Sequence, residues 1–205
     1  MGCLFIVTAP SGAGKTSLIR ALMASDASLA LSVSFTTRPP RAGEVDGRDY
    51  HFVTVDEFER RRARGEFLEW AEVYGNFYAT PRAPIDAALE GAGADLIFEV
   101  DWQGARRLRE TYPEAASIYI LPPSPEVLAE RLRARATDSE AVIARRLAQL
   151  AEDVRHVTDF DYGIVNYVFD EALEQLRAIV RAERCRSKRL PASLLERFYG
   201  PNHRG

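Results

Sequence analysis

Apolar positions along the chain form first an unbroken run, then a helical stripe, then short alternating runs, and finally runs and stripes in rotation. Cys3 to Thr8 is continuously apolar, the pattern of a strand buried on both faces. A turn of small residues follows, Ala9-Pro10-Ser11-Gly12-Ala13-Gly14, and Lys15 to Met23 then places Leu18, Ile19 and Leu22 on one helical face. From Leu31 to Thr80 the texture changes to short runs at Val33–Thr37, Tyr50–Val53, Phe67–Val73 and Phe77–Thr80. Turn signals at Pro39-Pro40, Asp46-Gly47 and Gly75-Asn76 separate them. A charged helix is predicted over Asp56–Arg64, stopped by Gly65.

The rotation of helix and strand then resumes. A helix near Pro84–Glu90 leads to the strand Leu96–Asp101, which ends in acid, and after a further helix comes the strand Ser117–Leu121. Ser124 and Pro125 pair as N-cap and first residue of an Arg-rich helix reaching about Ala136. Asp138 or Ser139 caps the next helix, towards Arg155; Tyr162–Val168 is the last strand and Glu171 to about Lys188 the last long helix. The alternation predicts an α/β fold: a parallel sheet with helices on both faces, carrying a small strand-rich insert. Ligands of such sheets bind beyond the carboxyl ends of the strands, where the glycine-rich turn lies.

Composition narrows the field. The chain has 205 residues, 46% apolar and 28% charged, with a formal net charge of −3, so no global positive field is present to hold nucleic acid. Two cysteines, Cys3 and Cys185, make no disulfide framework, and a reduced cytoplasmic setting is expected. His51, His156 and His203 are too scattered for a metal site. The N-terminus has no basic segment before its short apolar run, and no stretch is long enough to span a membrane. The run Arg181, Arg184, Arg186, Lys188, Arg189 is read as solvated charge complementing a helix C-terminus.

Residues Ala9-Pro10-Ser11-Gly12-Ala13-Gly14-Lys15-Thr16 fit the phosphate-binding P-loop except that Ala9 stands where glycine is usual. Small residues admit backbone N–H groups to phosphate oxygens, the helix start adds partial positive charge, Lys15 reaches the β and γ phosphates, and Thr16 offers a hydroxyl to Mg²⁺. This implies a nucleoside triphosphate. No Asn-Lys-x-Asp guanine signature of a GTPase is present. A kinase needs a second anion site. Arg38 and Arg41 flank the rigid Pro39-Pro40 and are either a phosphate clamp or solvated loop residues. Glu69 lies between Leu68 and Trp70, so alternation alone would put it on the wet face of a strand.

Four further motifs occur in order: Ser34 to Glu44, Gly47 to Phe52, Phe67 to Ala71, and Asp101 to Ala105. With the P-loop they resemble the guanylate kinases over roughly residues 3–188. The resemblance implies one domain over 1–190, with a P-loop core at 1–32, 89–126 and 151–190, a GMP-binding insert at 33–88, a helical lid at 127–150, and a tail at 191–205. It implies that Arg38, Arg41, Tyr50 and Tyr78 hold the GMP phosphate, and that Ser34, Glu69, Thr80 and Asp101 surround the guanine. Arg131, Arg135 and Arg146 would reach the ATP phosphates, and Asn166 would lie near the adenine. Family members often carry glycines where this chain has Ala134 and Ala136, and acids after Asn166 where it has Tyr167 and Val168. The implied substrates are ATP and GMP, with Mg²⁺ and no nucleic acid or membrane partner. A kinase of sugar phosphates and a protein-binding module of the same fold are the rivals; the first has no need of Glu69, the second none of Lys15 and Thr16.

Overall fold

A computed structural model describes residues 2–73, 75–90, 94–134 and 139–199. The strands are β1 (Leu4–Thr8), β2 (Leu29–Ser32), β3 (Phe35–Thr36), β4 (His51–Phe52), β5 (Phe67–Val73), β6 (Asn76–Pro81), β7 (Asp95–Glu99), β8 (Ala116–Leu121) and β9 (Tyr162–Val165). The helices are α1 (Lys15–Ser25), α2 (Val55–Ala63), α3 (Ala83–Glu90), α4 (Trp102–Thr111), α5 (Pro125–Ala134), α6 (Glu140–Arg155), α7 (Phe169–Arg184) and α8 (Ala192–Tyr199).

One sheet is wholly parallel, in the order β2-β7-β1-β8-β9. Its central strand shows why an unbroken apolar run is required. Phe5 and Val7 face one layer with Leu18, Ile19, Leu22, Leu173 and Leu176 from α1 and α7. Leu4 and Ile6 face the other, with Ile85, Phe98 and Leu108. Both faces are covered, so every position is buried.

The insert forms a second sheet, β4-β3-β6-β5, with β5 and β6 an antiparallel hairpin and β3 parallel to β4. Its own core joins Phe58 of α2 to Phe67 and Ala79, with Phe35, Trp70 and Phe77 packed around them. The side chain of Thr54 caps α2. A separate apolar cluster of Leu128, Leu132, Ile143 and Leu150 joins α5 to α6. Ser139 caps α6.

Several elements depart from the sequence reading. Strand β2 is missing from it, being a four-residue sheet edge with only its ends buried. Val33–Thr37 and Tyr50–Val53 pair over just two residues each. The last strand stops at Val165, and Val168 flanks the start of α7. Arg184 is not a solvated charge: it bridges Asp26 at 2.7 Å and Asp95 at 2.6 Å, tying the end of α7 to the sheet, and with Ser28 holds the Asp26 carboxyl down at about 2. Cys3 is buried, Cys185 is exposed, and neither is bonded. Among the described residues no helix is long and apolar enough to cross a membrane.

Candidate active site

The loop after β1 turns twice through left-handed backbone, at Gly12 (φ 96°) and Gly14 (φ 101°), a conformation in which other residues are strained. Helix α1 begins directly at Lys15. The Lys15 ammonium donates to the carbonyl of Val100 at 2.8 Å and stands 3.9 Å from the Glu99 carboxylate. Burial pushes the Lys15 pKa down, and the carboxylates of Glu99 and Asp101 oppose that shift. The Thr16 hydroxyl donates to Glu99.

Three other elements brace this loop. Asn166, after β9, donates its amide to the carbonyl of Ala13 at 2.8 Å. Arg131 of α5 donates to the carbonyls of Ala13 at 3.4 Å and Asn166 at 3.1 Å. Arg146 of α6 donates to the hydroxyl of Ser11 at 2.7 Å.

Across the cleft, Glu44 organises the basic loop of the insert. One of its oxygens accepts from the Arg38 guanidinium at 2.9 Å and the other from the backbone N–H of Arg41 at 2.7 Å. Arg38 also lies over the Tyr50 ring, 5.4 Å from its centroid. Tyr50 and Tyr78 meet edge to face at 6.0 Å. Burial pushes the Tyr50 hydroxyl well above its ordinary value, so it stays a neutral donor.

Deeper in the cleft lies Glu69. The alternation reading that placed it on a wet face is overturned: Phe67, Glu69 and Ala71 form the buried face of β5, and Glu69 is 8% exposed. The wet-face inference failed because Leu68 and Trp70 are only half buried, while the Glu69 face of β5 packs against α4. The Thr80 hydroxyl donates to Glu69 Oε1 at 2.5 Å. Burial drives the Glu69 pKa up to about 7, Asp101 adds to the rise, and the Thr80 hydroxyl opposes it. Asp101 caps α4 by accepting from the Gly104 N–H at 2.8 Å.

A single cleft of about 530 Å³ runs from Pro10 and Thr16 past Lys15 to Ser34, Arg38, Arg41, Tyr50, Tyr78, Glu69 and Asp101. Thr80 stands behind Glu69 rather than on the cleft wall, Ala13 is the buried residue of the phosphate loop, and Asn166 lies beneath the loop against it. Arg135 falls outside the described residues. The sequence reading missed Glu44 as an organiser, and Trp102, Gln149 and Asp153 as cleft walls. The Trp102 ring stacks on His156 at 4.0 Å, so this histidine supports the site. The signal for the α6 walls was available: Arg146, Gln149 and Asp153 recur at one-face helical spacing along α6, and its C-cap His156 continues that face.

Among the described residues no group of three or more His, Cys, Asp or Glu side chains forms a metal cage. The pairing of the Thr16 hydroxyl with the Glu99 carboxylate nevertheless fits Mg²⁺, a hard cation that takes few protein oxygens when phosphates supply the rest.

A phosphate loop between a central parallel strand and its helix, on a sheet covered on both faces, defines a P-loop NTPase fold. Comparison with known proteins sharpens this class. Residues 1–183 match the family model for guanylate kinase. The guanylate kinase of Thiobacillus denitrificans is 56% identical over 188 residues, covering 92% of this chain and 90% of that protein. That of Cupriavidus pinatubonensis is 51% identical over 197 residues, covering 96% and 91%. The crystal structure of guanylate kinase from Anaplasma phagocytophilum superposes with a TM-score of 0.80 at 34% identity, covering 95% of this chain and 93% of that one. The chain belongs to the guanylate kinase family.

Proposed function

We propose that this protein transfers the γ-phosphoryl group of ATP to GMP, giving ADP and GDP. The observation that carries this reading is that one cleft joins an intact phosphate loop to a second basic site and a buried carboxylate. The loop from Ala9 to Thr16 takes the ATP phosphates. Arg38, Arg41, Tyr50 and Tyr78 take the GMP phosphate. Glu69, with Ser34, Thr80 and Asp101 around it, takes the base. Guanine offers N1–H and its 2-amino group as adjacent donors to one carboxylate, whereas adenine presents a lone pair at N1.

The acceptor is a phosphate monoester whose second pKa is about 6, so near neutrality it is already an anionic nucleophile and needs no catalytic base. A GMP phosphate oxygen attacks the γ-phosphorus as the bond to the β-bridging oxygen breaks. The protein's work is alignment and charge stabilisation. Lys15, Arg38, Arg131 and Arg146 offset the repulsion between two polyanions, and Arg135 is expected to join them. Bound phosphates also favour the Lys15 ammonium, which burial disfavours. Mg²⁺ carried with ATP would be held by Thr16 and Glu99 and would neutralise charge on the β and γ phosphates. Helices α5 and α6 act as a lid that closes against water. The setting is the cytoplasm, and the substrates are small molecules.

The test is steady-state ADP release with ATP, Mg²⁺ and one acceptor at a time: GMP, AMP, CMP, UMP or a ribose bisphosphate. Turnover with GMP alone is expected. Turnover with the sugar phosphate and not with GMP would overturn the guanine pocket, and inertness of folded protein towards every acceptor would overturn the kinase reading.

A further inference from the structure

The third residue of α4 is a glycine whose backbone is helical, so its conformation does not require glycine. Alanine is intrinsically the better helix former. The reason for glycine is therefore space. A β-carbon on Gly104 would lie 3.1 Å from Glu69 Oε2, 3.2 Å from Asp101 Oδ1 and 3.2 Å from Val100 Cβ, each closer than ordinary contact between unbonded atoms. None of these neighbours is the loose end of a mobile chain. The other oxygen of Glu69 is held by Thr80 at 2.5 Å, Asp101 Oδ1 is held by the Gly104 N–H at 2.8 Å, and Val100 is buried with its carbonyl committed to Lys15.

We infer that Gly104 is a specificity-determining positioning residue: its missing side chain makes the space in which Glu69 and Asp101 stand side by side at the base-binding end of the cleft. Gly104 touches no substrate. It acts through the Glu69 carboxylate, and a methyl group there pushes that carboxylate out of the place from which it accepts both guanine donors. The inference rests on the reading that the cleft takes GMP.

The test compares kcat/KM for GMP and for IMP, which lacks the 2-amino group, in the wild type and in Gly104→Ala. Melting temperature and ADP affinity by calorimetry are measured on the same preparations. The wild type is expected to prefer GMP, and Gly104→Ala to reduce that preference by about tenfold or more, the worth of a charge-assisted hydrogen bond, with ADP affinity held within about twofold. A folded Gly104→Ala protein that keeps the full preference overturns the inference. Should Gly104→Ala fail to fold, the same contact is read from Glu69→Ala with and without Gly104→Ala. With the carboxylate gone the methyl loses its nearest clash and keeps those with Asp101 and Val100, so the double variant is expected to fold where Gly104→Ala alone does not, and a double variant that fails to fold while Glu69→Ala folds overturns the inference. A wild type that does not phosphorylate GMP overturns the functional reading instead, and the folding comparison still decides the contact.

Discussion

Glu69→Gln is expected to make the free protein more stable while weakening its grip on guanine. The carboxyl is raised from its ordinary 4.5 to about 7 by burial and by Asp101. A group whose folded pKa lies above its unfolded one binds protons more tightly when folded, so stability falls as pH rises from about 4.5 to about 7. The full cost above pH 7 is on the order of 3 kcal/mol, since each pKa unit is worth about 1.4 kcal/mol. Glutamine keeps the shape and removes the charge. Urea unfolding of both proteins near pH 8 should therefore show the variant more stable by up to about 3 kcal/mol, with the difference shrinking to nothing near pH 4.5. The same linkage acts on binding. Guanine needs the ionised carboxylate, so the apparent KM for GMP should rise about tenfold from near pH 8 to near pH 6. The phosphate of GMP titrates in part of that window, and the variant, which retains only the phosphate component, isolates the share due to Glu69. A variant less stable than the wild type near pH 8, or one with the same pH dependence of KM, would show that Glu69 is not the buried carboxylate that titrates near 7 and accepts from guanine.

Other expectations follow from the same geometry. Lys15→Ala should lower kcat by on the order of 10² or more in a steady-state assay, as loss of a transition-state donor does. Glu44→Ala, which frees Arg38 and the Arg41 backbone, should raise KM for GMP by about tenfold or more, with little change in KM for ATP. Phe58→Ala, which empties the centre of the insert core, should cost about 3–5 kcal/mol in denaturant unfolding.

What was legible in the chain depended on how local its cause was. The phosphate loop is eight consecutive residues between an apolar strand and a helix, and small residues, lysine and threonine have their chemistry wherever that loop sits. The buried sheet was legible because a strand covered on both faces must be apolar throughout. Glu69 was misplaced by alternation alone, because its burial comes from the packing of β5 against α4, distant in sequence. Strand β2 was lost for the opposite reason: a four-residue edge buried only at its ends carries too weak a pattern. Arg184 looked like surface charge because its partners, Asp26 and Asp95, are 158 and 89 residues away. Gly104 is visible as a glycine in the sequence, but the two carboxylates that require it meet only in the folded chain.

The chemistry at stake is transfer of a phosphoryl group between two nucleotides held in one cleft. Its most direct test follows the label from γ-³²P-ATP in the presence of Mg²⁺ and GMP, with the nucleotides separated at early times. Label leaving ATP is expected to appear in GDP, one equivalent for each ADP formed, with little free phosphate and with transfer slowed by on the order of 10² or more in Lys15→Ala. Label released as inorganic phosphate, with GMP left unphosphorylated, would contradict it.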